Sequence, residues 1–388
     1  MTATRHFDVV VVGGGLAGLA AVAAVVRTGL KVAHVAPASP PDRRTSALMM
    51  PSVDYMQQAG LIGDPARIGV PLTQIRIIDA TSRLIRAPET LFDSTEAGLI
   101  AFGWNFANTQ LNAAFAAALD DAPHLTRIAA TLKSLDLGGG KAVLALSDGE
   151  SISADLLVGA DGKKSLIREE GGFRAREHGF VEAALVCDLT LGRPLNGASV
   201  EFHYPHGPFT LVPAGENRAN LVWIDERSVL DAAREAGPEG LRAAITEKSM
   251  RLFGHIELAS SAHVFPLSTL SVDRAGGDGV VLVGESAHAF PPIGAQGLNL
   301  GLRDVADLAA ALAATDRSAA DWARRVSEDY AHRRSLDLAR TGGMVDVLFR
   351  SLLADMVPAQ ALRSGGLWAL KLVPALRRQA FQVGMGVR

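Results

Sequence analysis

The stretch "FDVVVVGGGLAGLAAVAAVVRTGLKVAHVA" (residues 7–36) leaves few choices of fold. After Asp8 come four valines, a β-branched apolar run of the kind found in strands buried on both faces. The run stops at Gly13-Gly14-Gly15-Leu16-Ala17-Gly18, and an Ala-rich helical segment follows as far as Gly29. "KVAHVA" then reads as a second strand. Strand, glycine turn, helix and strand make a βαβ opening, and the turn satisfies G-x-G-x-x-G. Gly13 permits the tight turn, Gly15 lets the backbone approach a pyrophosphate, and Gly18 allows close helix–strand packing. Unpaired N–H groups and the dipole at the helix start favour phosphate. The uncharged run Val9–Val26 is nearly long enough to suggest a membrane helix. Its central glycines divide it into strand and helix instead, and no cationic leader precedes it.

One part of the pattern is missing. The second strand of such a unit normally ends on an acid that holds the adenosine ribose, and here that place is Ala36. A hydrogen bond to a charged group is worth about 1.5–3 kcal/mol. Its loss weakens a dinucleotide by about ten- to a hundredfold. The segment alone leaves two readings open: a degenerate site without a ligand, or a site held by its other contacts.

The remaining totals exclude more than they assign. A chain of 388 residues has room for two domains. The formal charge of −3 gives no argument for nucleic acid. Cys187 is the only cysteine, so no intrachain disulfide forms and a reducing compartment, the cytoplasm, is expected. The ten histidines show no paired-ligand spacing, and no metal is expected. "TQIRIIDA" and "RLIRAPE" alternate like a hairpin around Thr81 and Ser82, and 108–123 reads as a helix. From about 180 to 270, sheet-like segments such as "GPFTLVP" and "NLVWI" predict an antiparallel platform. After Leu298 the chain reads as mostly helical.

Two further motifs follow: "LLVGADGKKSLIRE" (156–169) and "VVLVGESAHAFPPIGAQGLNLGLRD" (280–304). With "DRRTSAL" (42–48) and the first turn, they occur in the order that resembles the class A FAD-dependent aromatic monooxygenases. The likeness is closest to their ubiquinone-biosynthesis hydroxylase branch, and it runs from Phe7 to about Leu353. It implies an α/β fold: a Rossmann-like FAD-binding domain interrupted by an antiparallel-sheet substrate domain, with a helical C-terminal region. The FAD-binding parts would be 1–75, 99–178 and 271–345. The substrate parts would be 76–98 and 179–270, and the C-terminal region 346–388.

The resemblance also implies roles. Gly13, Gly15, Gly18, Arg44, Asn112, Asp161, Gly162, Glu285, Pro291, Gly297, Leu298 and Asn299 would contact the cofactor. Arg168 would be the basic residue that follows the Asp-Gly pair. Phe209, Leu211, Trp223 and Pro292 would line the substrate pocket. Besides Ala36, the chain departs from the family at Glu285, where Asp is usual, and at Asn112, where relatives often carry Gln. The implied chemistry needs FAD, NAD(P)H or a protein electron donor, and O2. Oxygen would pass through a C4a-hydroperoxyflavin to an electron-rich phenol, and no side-chain acid or base is obligatory. The substrate would be a polyprenylated phenol. The basic, acid-free segment from Met356 to Arg388 would suit the inner face of the cell membrane, or else a docked terminal helix. Other ubiquinone-pathway proteins are further expected partners. Two alternatives stay open: an accessory protein of that pathway with weak or no flavin, and a hydroxylase of a soluble aromatic.

Overall fold

The structure is a computed structural model describing residues 4–81, 87–292, 295–353 and 368. The elements in order are β1 (Arg5–Val12), α1 (Leu16–Val26), β2 (Val32–Val35), β3 (Thr45–Met49), α2 (Met50–Gln58), β4 (Gly69–Leu72), β5 (Gln74–Asp79), β6 (Thr90–Asp93), β7 (Gly103–Ala107) and α3 (Asn108–Ala117). Then come β8 (Leu125–Ile128), β9 (Leu132–Asp136), β10 (Ala142–Leu146), β11 (Ser151–Gly159), α4 (Leu166–Glu170), β12 (Ala175–Leu191), β13 (Ala198–Tyr204), β14 (Gly207–Pro213) and β15 (Arg218–Glu226). The last are α5 (Arg227–Glu235), α6 (Gly237–Lys248), β16 (Ile256–Leu258), β17 (His263–Val272), β18 (Gly276–Gly277), β19 (Val280–Leu282), β20 (His288–Ala289), α7 (Gln296–Ala314) and α8 (Trp322–Leu353).

The apolar strands read from sequence lie at the centre of the first sheet. Its order is β18-β19-β11-β1-β2-β8, with β10 and β9 added beside β11. β1 runs parallel to both β2 and β11. Val9 to Val11 are fully buried, as a strand with both faces covered requires. α1 covers one face with Ala20, Ala21, Val22 and Val25, and α7 packs beside it. Gly29 ends that helix region at φ +79°.

The second sheet runs β20-β17-β12-β15-β14-β13-β5-β6, with β16 beside β12. It is the expected platform with two differences, the first being that β13 and β5 pair parallel while the other pairs are antiparallel. β5 does have an antiparallel partner, but it is β6 at Thr90–Asp93. Residues 82–86, which include Ser82 of the expected turn and the start of "RLIRAPE", lie outside the described residues. A second difference is the helical pair α5–α6, which was not read from the sequence. These helices are the reason the sheet has a dry side. Leu230, Leu241 and Ile245 from them join Phe202, Phe209, Leu211, Leu221 and Trp223 in one buried cluster. A three-stranded sheet, β3-β7-β4, lies between the two large ones in the chain's path.

Candidate active site

Three turns at the ends of β1, β11 and β19 meet. Gly13 has φ +132°, and a Cβ there would lie 2.0 Å from the Ala160 carbonyl oxygen. A Cβ on Gly18 would lie 2.1 Å from Gly13 O. Both glycines are therefore required by close backbone approach. Gly15 differs: nothing lies within 4 Å of its Cβ position. It is the N-cap of α1, no side chain caps that helix, and no acid occupies the first turn. The helix start thus offers open N–H groups beside a clear space. His34 braces the turn from below, with Nε2 3.0 Å from Gly13 O. A carbonyl only accepts, so Nε2 carries the proton. Burial pushes the His34 pKa down and keeps the ring neutral.

Asp161 and Gly162 follow β11. Asp161 accepts hydrogen bonds from Ser165 Oγ at 2.5 Å and from Ile167 N at 3.3 Å, so its carboxylate holds the start of α4. Arg168 is buried rather than presented to solvent. It donates to Lys163 O at 2.8 Å and to Ser286 O at 3.1 Å, fastening the Asp-Gly turn to the Gly284-Glu285 turn. Gly284, at φ +64°, donates its N–H to Asp304 Oδ2 at 2.8 Å. The same oxygen lies 2.6 Å from His288 Nε2. Asp304 on α7 therefore holds both ends of the "GESAH" turn, and Arg334 of α8 faces its other oxygen at 2.7 Å. Glu285 itself is exposed.

Arg44 and Asp42 pair through Nη2 and Oδ2 at 2.9 Å, and Asp42 also accepts from Asn108 Nδ2 at 2.8 Å. Burial pushes the Asp42 pKa up, but hydrogen bonds from Arg44 and Asn108 outweigh it and bring the group down to about 2. Because the folded value lies below the ordinary one, this pair stabilises the fold above pH ~4 and ceases to do so as pH falls towards ~2. Asp42→Asn is expected to lower stability by about 1 kcal/mol at pH 7, less than the full pKa shift would give, because water reaches the exposed Arg44 side of the pair. Urea unfolding at pH 7 and near pH 2.5 checks this; the gap between variant and wild type should shrink in acid. Glu285 is close enough to help raise the Arg44 pKa, after the larger effect of Asp42, so Arg44 faces the turn from β19.

α7 begins at Ala295 in a left-handed conformation (φ +54°), again with no side-chain cap and no acid in its first turn. Gly297 is exposed with open space at its Cβ position. Asn299 is fully engaged: Oδ1 accepts from Met49 N at 2.9 Å, and Nδ2 donates to Ala47 O at 3.0 Å and Ala295 O at 2.5 Å. Its side chain thus fixes the helix start to β3. Pro291 is buried and Pro292 exposed in the preceding loop.

From β3 the structure leads to the second sheet. β3 pairs with β7, and Asn105 of β7 donates to Pro213 O and to Asn220 Oδ1, both at 2.8 Å. Asn220 in turn donates to Asp188 Oδ1 at 2.6 Å. Asn220 and Asp188 lie on the sheet face opposite α5–α6. On that face the rows Val186–Val222–Thr210–Glu201 and Asp188–Asn220–Val212 are mostly half-buried, although they occupy central strands. They lie between two apolar groups, Ala184/Ile224/Leu267 and Phe92/Phe102. This is an open recess rather than packed core. Phe209, Leu211 and Trp223 do not line it. They are 0–2% exposed, point to the opposite face, and Trp223 lies under Lys248 of α6. The expectation for those three is corrected: strand alternation assigns them to the dry side.

Residues 6–340 match the family model described as FAD binding domain. The chain belongs to that family. The FAD binding domain match covers the three turns, the recess and all of α8's described side chains. The chain is 29% identical to the ubiquinone hydroxylase UbiL of Rhodospirillum rubrum, across 99% of this chain and 91% of that one. It is 27% identical to the 3-demethoxyubiquinol 3-hydroxylase of Escherichia coli, across 98% of each. The fold also matches p-nitrophenol 4-monooxygenase PnpA of Pseudomonas putida, with a TM-score of 0.81 at 18% identity over 100% of both chains.

The residues present fit FAD. Two uncapped helix starts flank the space above Gly15 and Gly297, and neither carries an acid that would repel phosphate or reduced flavin. Ala36 lies close to the glycine turn, its Cβ 3.1 Å from where a Cβ on Gly14 would stand, so a methyl group is packed at the place where an acid would hold the ribose. Asn112 is half-exposed, one turn beyond Asn108 on α3, and forms no hydrogen bond among the described residues. Asn108 is the α3 residue built into the Arg44 cluster, a position sequence reasoning missed. Its signal was an amide at a helix start directly after a strand, where side chains meet free backbone ends.

Proposed function

We propose that the protein is an FAD-dependent monooxygenase that hydroxylates the ring of a polyprenylated phenol in ubiquinone biosynthesis. The observation that carries this reading is the recess described above: a half-open sheet face joined through Asn220, Asn105, β3 and Asn299 to an uncapped α7 start. The names of the relatives along nearly the whole chain support the substrate class. When bound, FAD supplies the redox and oxygen-activating chemistry, with NAD(P)H as reductant and O2 as co-substrate. The protein's own parts bind and orient. With FAD bound, the α1 start and Gly15 would hold the pyrophosphate, Arg44 and Glu285 would lie near the chain linking it to the flavin, and the α7 N–H groups would stabilise negative charge gained on reduction. The apolar margins of the recess exclude water from the ring under attack.

We also propose that the protein works at the inner face of the cell membrane. The basic segment from Met356 that supports this lies outside the described residues apart from Trp368, which is exposed. Among the described residues no helix is long and apolar enough to cross a membrane.

The test is reconstitution. Purified protein given FAD, NAD(P)H and a short-chain prenylated phenol should form hydroxylated product. Ala36→Glu should tighten FAD by about ten- to a hundredfold, the size of one charge-assisted hydrogen bond. Protein that stays colourless after FAD reconstitution, with or without that substitution, overturns the proposal and favours an accessory role.

A further inference from the structure

The half-open sheet face carries a carboxylate–imidazole pair that no role above uses. Glu201 and His203 lie two residues apart on β13, so their side chains share this face. Glu201 Oε1 lies 2.6 Å from His203 Nε2. The His203 side chain is 9% exposed and the Glu201 side chain 24% exposed. Glu201 Oε2 has no hydrogen-bond partner among the described residues. Glu201 stands directly across from Thr210 on one side and Ile77 on the other, in the row that continues to Val222 and Val186. The other acid of the recess, Asp188, already accepts from Asn220. Asp79, in the row of His203, is held by Thr81 and Ala87 N. A part-exposed carboxylate on this face, with one oxygen held by a buried histidine and the other unpaired among the described residues, has the makings of a general base.

We infer that Glu201 is the general base for the phenol hydroxyl, with His203 as its positioning residue. This rests on the functional reading above. As an electrophilic oxygen atom adds to the ring, the ring becomes electron-poor and its hydroxyl strongly acidic. Glu201 Oε2 takes that proton: the phenol O–H bond breaks, a carboxyl O–H bond forms, and the electron pair left on oxygen flows into the ring. The hydroxylated ring carbon then gives up its proton to solvent, the ring oxygen takes one back, and aromaticity returns. Glu201 passes its proton to solvent entering the recess. The oxidant is O2, reduced at the expense of NAD(P)H, so the electrons balance.

Glu201→Gln keeps the shape and the contact to His203 but cannot accept the proton. On FAD-loaded protein with a short-chain prenylated phenol, kcat for hydroxylated product should fall by about 10²–10⁴-fold. The dissociation constant of the phenol should stay within about threefold, and peroxide should rise as NAD(P)H oxidation loses its coupling to product. Wild type should lose kcat on the acid side of its pH profile, and the variant should lack that limb. A purely structural residue would alter FAD content or phenol binding and leave the limb in place; either result overturns the inference. Wild-type rates and coupling in Glu201→Gln also overturn it while leaving the functional reading intact. A wild-type protein that hydroxylates no prenylated phenol overturns both.

Discussion

Gly13→Ala should abolish FAD binding. The added Cβ would lie 2.0 Å from Ala160 O and 2.4 Å from its carbonyl carbon, and the residue has φ +132°. Neither obstacle is a flexible side chain that can turn away. Relief needs β1 and β11 to separate at their ends, where Ala160 N donates to Val12 O at 2.8 Å. The same movement breaks the support of the Gly13 carbonyl by His34. We expect FAD affinity to drop by more than a hundredfold, with purified protein lacking flavin absorbance. Gly15→Ala is the control: its Cβ enters open space, the fold should remain, and only the approach of phosphate should suffer. Circular dichroism separates the two cases, since Gly15→Ala should keep wild-type spectra and melting.

Arg334→Ala should destabilise the fold more than any surface change. Arg334 is fully buried, with Nε 2.7 Å from Asp304, and Nη1 2.8 Å from Asp307 and 2.6 Å from Asp337. Removing it leaves carboxylates in the interior without that counter-charge, a change that typically costs about 3–5 kcal/mol. The loss should appear as a lower urea midpoint. It should also weaken FAD, because Asp304 positions Gly284 and His288 at the cofactor turn. Adding Asp304→Asn to Arg334→Met removes a charge from each side and should recover part of the stability. If the double variant is as weak as the sum of the single ones, the two residues are not coupled.

The residues that were legible in the sequence share one property: their chemistry is local. Gly13, Gly18 and Gly284 mark strand ends in any apolar run, and the order of the motifs names the fold. The β-strands themselves were readable because Val9–Val12 and Leu156–Val158 are apolar without alternation. What was not legible depends on partners distant in the chain. Phe209, Leu211 and Trp223 alternate with Thr210, Val212 and Val222, and both sets look equally suited to a pocket. Only the α5–α6 pair decides which set is dry. The amphipathic stretch Arg227–Lys248 could have decided it, since two short helices must bury their apolar residues on the sheet beside them. Asn299 adds a role that spacing does not reveal: beyond the backbone N–H groups expected of this helix start, its side chain fastens the helix to β3, two hundred and fifty residues earlier in the chain. Asp188, Asn220 and Asn105 form one chain of hydrogen bonds from three strands, and no spacing rule connects them.

The position of Arg334 so late in the chain has a consequence for biosynthesis. During translation the glycine turn and β1 leave the ribosome first, and β11 can join them as soon as it emerges. Asp304 then emerges before its partner. Until α8 follows, that carboxylate has no arginine beside it, and Tyr330 has not yet donated to Leu282 O in β19. The nascent protein therefore carries a sheet with an unfinished edge and a cofactor turn without its brace, a state prone to mispairing. We expect flavin to lock the turns after α8 has docked. A chain stalled or cut before Tyr330 should be a client for chaperones and proteases rather than a smaller flavoprotein.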